Sequence, residues 1–388
     1  MGRFARMFGY FRATIASIVY LAVLVGGALI RGAADPAQAA PGWGALRDII
    51  VVGAKPNLLF VVDPAARKVL HRYGIPGDGP PNSISVSPDG RIAYVLTDHF
   101  NAISGINLDT GEQVFRAVLS TATERVRSIG GIAVSRDGKE LFVQENATRI
   151  LPSEYRVQPA RIAIYGTSGG LDAKPLRTFA TPRRLILMLP SVDGRLLYGL
   201  GWDLYAFNTR DGSLVSTTKV SHWDRPNASV PDVFAPLPLF EQSDVFSWPY
   251  YYTRTDKKPE EMGFANTGIL TFDLRTGALD MRDFAGTVVP LISSVVDPTD
   301  HAKIYSVAST LNKIDLRKTQ LEQSIDLPHT YYNVNVSSDG RYVYVAGGMN
   351  DIGVYSADNL RRVATIALTD SGDMALSSFR VVRRSPAP

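Results

Sequence analysis

The sequence contains no cysteine among its 388 residues. The chain therefore has no thiolate nucleophile, no disulfide, no cysteine-ligated zinc or iron–sulfur site and no CxxCH motif for covalent haem attachment. A quinone cofactor that cross-links a cysteine to a tryptophan cannot form within this chain either. A chain of this length buries enough apolar surface to fold without covalent staples, so the absence restricts its chemistry more than its stability.

Residue sets typical of catalytic centres are also scarce. No two of the 5 histidines stand at metal-ligand spacing on one predicted element or beside an acidic cluster. We interpret most of them as surface or loop residues; the five are His71, His99, His222, His301 and His329. Gly166-Thr167-Ser168-Gly169-Gly170 matches the G-x-S-x-G pattern of serine hydrolases, but it lies between two predicted strands. Because that motif needs a strand–turn–helix context, we interpret it as a hairpin turn.

The first forty residues have the pattern of an export signal. Arg3, Arg6 and Arg12 precede the apolar run Ala13–Ile30, and Ala37-Gln38-Ala39 supplies the small residues of a cleavage site. The sequence predicts a signal peptide over residues 1–39 and a folded, periplasmic domain over residues 40–388. The alternative is an uncleaved anchor, because the run is just long enough to span a membrane.

Most of the positive charge belongs to this segment. Without residues 1–39, the 41 basic and 37 acidic residues fall to 37 and 36, a net charge of +1. The sequence pI of about 9.1 is therefore no argument for nucleic-acid binding. We expect no nucleic-acid partner and no membrane span in the mature chain.

A short apolar run that ends in a polar turn recurs seven times. The intervals are about 40 to 65 residues, the length of a four-stranded propeller blade. The runs are Leu59–Asp63, Ile103–Asn107, Ile162–Tyr165, Leu204–Asn208, Ile269–Asp273, Leu311–Asp315 and Ile352–Ser356.

A second repeat precedes most of these runs. Alternating apolar residues lead into Asp-Gly and a returning strand, which predicts a hairpin whose glycine adopts positive φ. We interpret its aspartates as residues that bond the turn backbone; they are Asp89, Asp137, Asp193 and Asp339, with a degenerate copy at Val296–Asp300.

The chain ends complete the ring. Ile49–Tyr73 supplies three strands with no inner strand before them, and Met374–Val382 has strand composition without a blade of its own. We predict an all-β, seven-bladed β-propeller in which N- and C-terminal strands share a blade, which removes open sheet edges. Two insertions, Gln144–Pro159 and Lys219–Asn266, interrupt the repeat.

Aromatic residues cluster in segments predicted at one face of the propeller. Loops from an outer strand to the next inner strand share a face with loops between second and third strands. Tyr250–Arg254 is assigned to the second kind of loop and residues 329–333 to the first. The candidates for a substrate pocket or subunit interface are Tyr331, Tyr332, Asn333, Trp248 and Tyr250. Packing between blades is the alternative explanation for these side chains.

Several of these segments resemble a known family. The most specific are Tyr155-Arg156-Val157-Gln158-Pro159 and Pro328-His329-Thr330-Tyr331-Tyr332, and Thr123–Ser128, Leu197–Gly201 and Pro231-Asp232-Val233 fit as well. From about Arg47 to Arg383, the chain resembles the β subunit of bacterial quinohemoprotein amine dehydrogenase.

The resemblance implies a periplasmic heterotrimer that oxidatively deaminates primary amines. It implies a haem-c α subunit and a small γ subunit carrying cysteine tryptophylquinone, with the amine bound at the subunit interface. This chain would carry no cofactor, metal or catalytic residue, and would wall the pocket and dock its partners.

Two other classes of function stay open. A lactonase-like propeller hydrolase would need a metal held in the channel by acidic and asparagine residues, and the sequence offers no such set beyond the turn aspartates. An exported YVTN-like propeller that acts as a binding or scaffold module is the other alternative.

Overall fold

The computed structural model describes residues 46–233, 235–374 and 379–384. They form seven β-sheets arranged as the blades of a β-propeller, which confirms the predicted fold class. The described residues include one 3-10 helix, Gly170–Asp172, in the turn that carries the G-x-S-x-G match. No helix in these ranges is long and apolar enough to cross a membrane. The predicted signal peptide, residues 1–39, lies outside the described residues.

The strands follow one another blade by blade. Blade 1 holds β1 (Arg47–Ala54), β2 (Leu58–Asp63) and β3 (Lys68–Gly74). Blade 2 holds β4 (Ile84–Val86), β5 (Ile92–Thr97), β6 (Ala102–Asn107) and β7 (Gln113–Val118). Blade 3 holds β8 (Glu124–Arg127), β9 (Ile132–Val134), β10 (Glu140–Ile150), β11 (Tyr155–Val157), β12 (Arg161–Gly166) and β13 (Pro175–Ala180).

Blades 4 to 7 complete the ring. Blade 4 holds β14 (Leu187–Pro190), β15 (Leu196–Leu200), β16 (Leu204–Asn208) and β17 (Leu214–Thr218). Blade 5 holds β18 (Val245–Thr253), β19 (Ala265–Asp273) and β20 (Leu279–Ala285). Blade 6 holds β21 (Ser293–Val296), β22 (Lys303–Val307), β23 (Thr310–Asp315) and β24 (Gln320–Asp326). Blade 7 holds β25 (Asn333–Val336), β26 (Tyr342–Ala346), β27 (Asp351–Ser356) and β28 (Arg362–Ala367).

The C-terminal strand closes the ring, as predicted. β29 (Phe379–Arg384) pairs antiparallel with β1, with Val381 opposite Ile50, and becomes the innermost strand of blade 1. The predicted closing strand began at Met374; the described pairing covers Phe379 to Arg384. Apolar clusters fill the spaces between neighbouring blades, so inner and middle strands are buried on both faces. Outer strands such as β24 alternate exposed and half-buried residues.

The Asp-Gly turns have the predicted structural role. In the first of them Asp89 Oδ1 accepts a bond from the Arg91 amide at 3.0 Å, and the Ser87 hydroxyl donates to the same oxygen at 2.5 Å. Gly90 has φ of +71°, a left-handed conformation that costs glycine little. The equivalent aspartates Asp137, Asp193 and Asp339 make the same bonds.

Both insertions differ from their predicted form. The loop predicted over Gln144–Pro159 is a strand hairpin, because β10 continues past the blade and pairs with β11 and β8. The prediction of a loop over Tyr250–Arg254 is wrong, because Tyr250 to Thr253 belong to β18, the second strand of blade 5. The first six residues of β18 and Tyr252 are buried, and Trp248 and Tyr250 lie in the core shared with blade 4, so packing holds this segment extended.

A proline-rich segment takes the inner position of blade 5. Asp232 and Tyr251 exchange backbone hydrogen bonds of 2.7 and 3.2 Å on the free edge of β18. Ala235, Leu237 and Leu239, which follow, are buried in the same core. Pro236 and Pro238 have no amide to donate, which explains why this stretch joins no regular ladder.

The next residues cross the central channel. The inner strands contact each other around the ring, which places blades 1 and 5 on opposite sides. The Gln242 side-chain amide nevertheless donates to the Val381 carbonyl of β29 at 2.6 Å, and Glu241 forms an ion pair with Arg380. The Phe240 ring contacts two guanidinium groups, those of Arg380 at 5.5 Å and Arg136 at 5.4 Å. The segment 240–242 therefore occupies the channel.

Candidate functional site on the connection face

The outer-to-inner connections and the turns between second and third strands lie at one face, as predicted. The connection from blade 6 to blade 7 shows this, since the Leu327 amide donates to Ser309 and the Tyr331 amide to Ala308, both at 2.9 Å. We call this the connection face; the Asp-Gly turns lie at the other. Three polar clusters on the connection face are candidates for function.

The first cluster joins His329, Tyr331 and Asp351. The His329 Nε2 atom lies 2.8 Å from Asp351 Oδ1, and the Tyr331 hydroxyl donates to Oδ2 at 2.7 Å. The rings of His329 and Tyr331 lie 4.0 Å apart between centroids. One carboxylate at the start of β27 thus fixes two side chains from the connection before β25. No sequence pattern revealed this pair, because its residues are 22 positions apart.

The electrostatics of this cluster favour a neutral Tyr331. Burial raises the pKa of the Tyr331 phenol, and its bond to the Asp351 carboxylate raises it further. His329 Nδ1 lies 3.1 Å from the Thr330 carbonyl, so both ring nitrogens face oxygen acceptors. The cluster is internally satisfied and is better suited to positioning than to proton transfer.

Only one of the five predicted site residues presents its side chain at the surface here. Tyr332 is half-buried, whereas Tyr331 and the neighbouring Asn333 are buried. The turn after β26 packs closely on this segment: a Cβ on Gly347 would lie 3.0 Å from the Tyr332 Cβ, and one on Gly348 would lie 1.9 Å from the Thr330 carbonyl oxygen. Glycine at both positions lets the two loops meet.

The second cluster surrounds Asp283 on the outer strand of blade 5. Tyr250 and Tyr252 donate to its two oxygens at 2.5 and 2.8 Å, and Arg225 Nη1 contacts both at 2.8 and 2.9 Å. Trp223 stands edge-on to both tyrosine rings, with centroids 5.7 and 5.1 Å away. Burial first, and the bond to Asp283 second, raise the pKa of Tyr250.

The two predicted site residues of blade 5 lie inside the chain, and of the two only Tyr250 contacts Asp283. Tyr250 and Trp248 are both buried in the core shared with blade 4. Their pocket or interface role stays a prediction, and the described contacts are internal to the chain. The sequence analysis missed Asp283 and Arg225, because nothing in strand periodicity links an outer-strand aspartate to an arginine 58 residues earlier.

The third cluster lies on blade 2. Asp98, His99 and Phe100 have φ of +50°, +52° and +68°, three successive left-handed residues between β5 and β6. Each such non-glycine residue costs about 1–2 kcal/mol. The Asp98 carboxylate compensates by accepting bonds from Arg116 at 2.9 Å and from the Asp78 amide at 2.5 Å. Beside it, a cleft of about 520 Å³ is lined by Lys55, Asn57 and Asp78, among others.

The described residues connect these clusters only indirectly. Tyr250 and Tyr331 share the connection face, and no hydrogen bond or ring contact joins them within these ranges. The same ranges contain no group of three or more His, Asp or Glu side chains placed to hold a metal ion.

Comparisons with known proteins show what this chain shares with them in fold, and nothing more specific. No protein-family model matches the chain, and no curated protein matches it. A functionally unknown protein from Desulfotomaculum acetoxidans is 11% identical, with a TM-score of 0.56 over 87% of this chain and 99% of that one. Kuenenia stuttgartiensis hydrazine synthase is 13% identical, with a TM-score of 0.51 over 81% of this chain and 90% of that one.

A third structure covers more of the chain. The dihydro-heme d1 dehydrogenase NirN is 15% identical, with a TM-score of 0.51 over 93% of this chain and 78% of that one. At such identities, shared architecture carries no information on activity. The chain is thus a β-propeller similar in fold to bacterial proteins of varied function. These similarities do not show membership of the amine dehydrogenase family.

Proposed function

We propose that this chain is the non-redox propeller subunit of a periplasmic quinohemoprotein amine dehydrogenase, which oxidatively deaminates primary amines. The observation that carries the proposal is the segment Pro328–Asn333. It holds one of the two most specific motifs of the resemblance, and its His329 and Tyr331 both contact Asp351 on the connection face.

The residues of this chain would position the loop that carries Tyr332 and enclose the amine. Tyr331 and His329 are committed to Asp351, so they brace the loop that carries Tyr332. Tyr332, half-buried beside them, would form part of an apolar wall that excludes water from the amine. The quinone, on the small partner subunit, would supply the carbonyl chemistry, and haem c on the large one would accept electrons.

The propeller architecture is compatible with a place in a redox enzyme. One propeller of similar fold is named a dihydro-heme d1 dehydrogenase, so the architecture occurs in a redox enzyme. The occupied channel argues against a lactonase-like hydrolase, because Glu241 and Gln242 fill the space where a channel metal and its substrate would bind. The second candidate is a scaffold or binding module without haem-c or quinone-bearing partners. It is favoured because the polar groups of the clusters bond to one another within the chain.

The test is recovery of the native assembly. A tagged full-length chain is expressed in its own organism and captured from periplasm, and the eluate is analysed by mass spectrometry and absorption spectroscopy. We expect a haem-c protein and a small quinone-bearing chain, with amine-dependent reduction of the haem. A strain with the untagged chain provides the background. A colourless eluate that contains this chain alone contradicts the proposal.

A further inference from the structure

Blade 3 carries a second, smaller sheet on the connection face. β10 is 11 residues long, against 5 or 6 for the second strands β15 and β5 of neighbouring blades. Its second half leaves the blade and pairs with β8 on one side and β11 on the other. We call these three paired segments the blade 3 extension.

One edge of this extension is free. The Gln158 amide bonds to the Ala147 carbonyl, and the Leu151 amide to the Glu154 carbonyl, both at 3.0 Å. Alternation along an antiparallel ladder then directs the backbone amide of Val157, like that of Tyr155, away from β10. No strand among the described residues pairs with that edge of β11.

The side chains beside the edge form an apolar strip with basic neighbours. Tyr155 and Val157 are 70% and 64% exposed, and they lie opposite Ile150 and Thr148 on one face. Arg125 is exposed opposite Thr148 on the far strand of the same face. β11 is as short as exposed edge strands normally are, but two of its three side chains are apolar and largely exposed, which makes it a candidate surface for a partner.

The basic residues define what would cover it. Within the described ranges, Arg125, Arg127 and Arg149 form no ion pair, whereas Glu124 and Glu154 are bound to Arg161 and Arg156. The extension therefore presents unneutralised positive charge. A second copy of this chain would bring the same positive charge to the interface, and like charge disfavours association.

We propose that the free edge of β11 receives an extended segment of a partner subunit as an added strand. The segment would be acidic and would alternate apolar residues that pack on Tyr155 and Val157. This inference rests on the proposed function, since the partner is the haem-c or the quinone-bearing subunit. Strand addition takes its affinity from main-chain hydrogen bonds and its specificity from alternate side chains.

Val157→Pro tests the edge directly. Proline removes the outward amide but leaves the inward bonds of the hairpin, which belong to Gln158 and Glu154. Val157→Thr keeps the amide and the β-branched shape and is the matched control. We expect Val157→Pro to weaken capture of the partner about tenfold or more, since a lost hydrogen bond and a steric block together exceed 1.4 kcal/mol. Val157→Thr should weaken it far less.

A charge variant covers the case in which the proline variant fails to fold. Val157→Asp alters an exposed side chain and sets a negative charge against the acidic segment, and aspartate is also depleted in strands. Hydrogen exchange at residues 155 and 157 adds a direct readout, with protection expected in the assembly and lost in the isolated chain. Raised salt should weaken the wild-type assembly, and Arg125→Glu should mimic that effect.

The outcomes separate the two proposals. Recovery of haem-c and quinone chains by wild type, Val157→Pro and Val157→Asp alike overturns strand addition and leaves the proposed function intact. A dimer of this chain that Val157→Pro abolishes assigns the edge to a second copy and overturns the acidic partner. A wild-type chain recovered alone, with residues 155 and 157 unprotected, overturns both proposals.

Discussion

Tyr250 and Gly268 stand opposite each other on β18 and β19, and the tyrosine ring occupies the space above the glycine. A Cβ on Gly268 would lie 2.2 Å from the Tyr250 Cζ atom. The missing side chain allows the phenol to cross β19 and reach Asp283 on β20.

Gly268→Ala should therefore destabilise the chain by about 3 kcal/mol, as overpacking of a filled core does. The Tyr250 ring must also move away from Asp283, which removes one of the hydrogen bonds that Asp283 accepts. Chemical denaturation followed by tryptophan fluorescence measures the change. Gly74→Ala is the control, because no atom lies within 4 Å of a Cβ placed there; it should shift stability by about 0.5 kcal/mol or less. Equal effects of the two substitutions would show that the Tyr250 contact is not what requires glycine.

The ion pair between Glu241 and Arg380 should affect stability most when only one of its two charges is removed. Arg380 is buried in the channel, where burial lowers its pKa to about 9, so it stays charged at neutral pH. Glu241→Gln would leave that charge uncompensated and should cost about 3–5 kcal/mol. Thermal unfolding measures the loss.

The double variant Glu241→Gln/Arg380→Met separates charge from packing. It removes both charges and keeps an unbranched apolar chain near the Phe240 ring, so we expect it to regain most of the lost stability. A double variant as unstable as Glu241→Gln would mean that the uncompensated charge of Arg380 is not the cause of the lost stability.

Tyr331 and Tyr332 should respond differently to truncation. Tyr331→Ala empties a buried site and removes the bond to Asp351, and should cost about 3–5 kcal/mol. Tyr332→Ala should cost about 1 kcal/mol or less, because the side chain is half-buried. In the assembled enzyme it should raise the Michaelis constant for amine much more than it lowers stability. The reverse pattern for Tyr332 would identify it as a packing residue.

The raised pKa of Tyr331 predicts alkaline instability. Burial and the Asp351 carboxylate raise it in the folded chain, whereas an unfolded tyrosine titrates near pH ~10. The stability that depends on the neutral phenol is thus complete below about pH 10 and is lost as pH rises above it, because the unfolded state then releases the proton first. Urea unfolding of wild type and Tyr331→Phe from pH 8 to pH 11 tests this. The wild-type advantage should shrink above about pH 10; parallel curves would contradict the assignment.

Much of the architecture could be predicted from the sequence because a propeller repeats one local pattern. Every run predicted from Leu59 to Ser356 is the third strand of a blade. The Asp-Gly turns behaved as expected, since Asp89 bonds an amide two residues away and Gly90 needs only its own backbone freedom. Ring closure by the C-terminal strand followed from counting strands.

Predictions from the sequence were wrong where burial in the core overrode the local preference for a loop. Proline and aromatic density from Lys219 onward predicted an insertion with Tyr250 in a loop, whereas the core shared with blade 4 holds Tyr250 in a nine-residue strand. β10 likewise extends past its blade because β8 and β11 pair with it, and pairing partners cannot be read from one strand alone.

By itself, then, the sequence determined the all-β class, the number of blades, their turns and the chemistry that a cysteine-free chain lacks, because these depend on neighbouring residues and on composition. Only the tertiary structure decided that Asp351 holds His329 and Tyr331, that Asp283 holds Tyr250, and that Glu241 crosses the channel to Arg380. Those partners are distant in the chain, and a carboxylate or an arginine finds its partner through burial and geometry that no local pattern encodes.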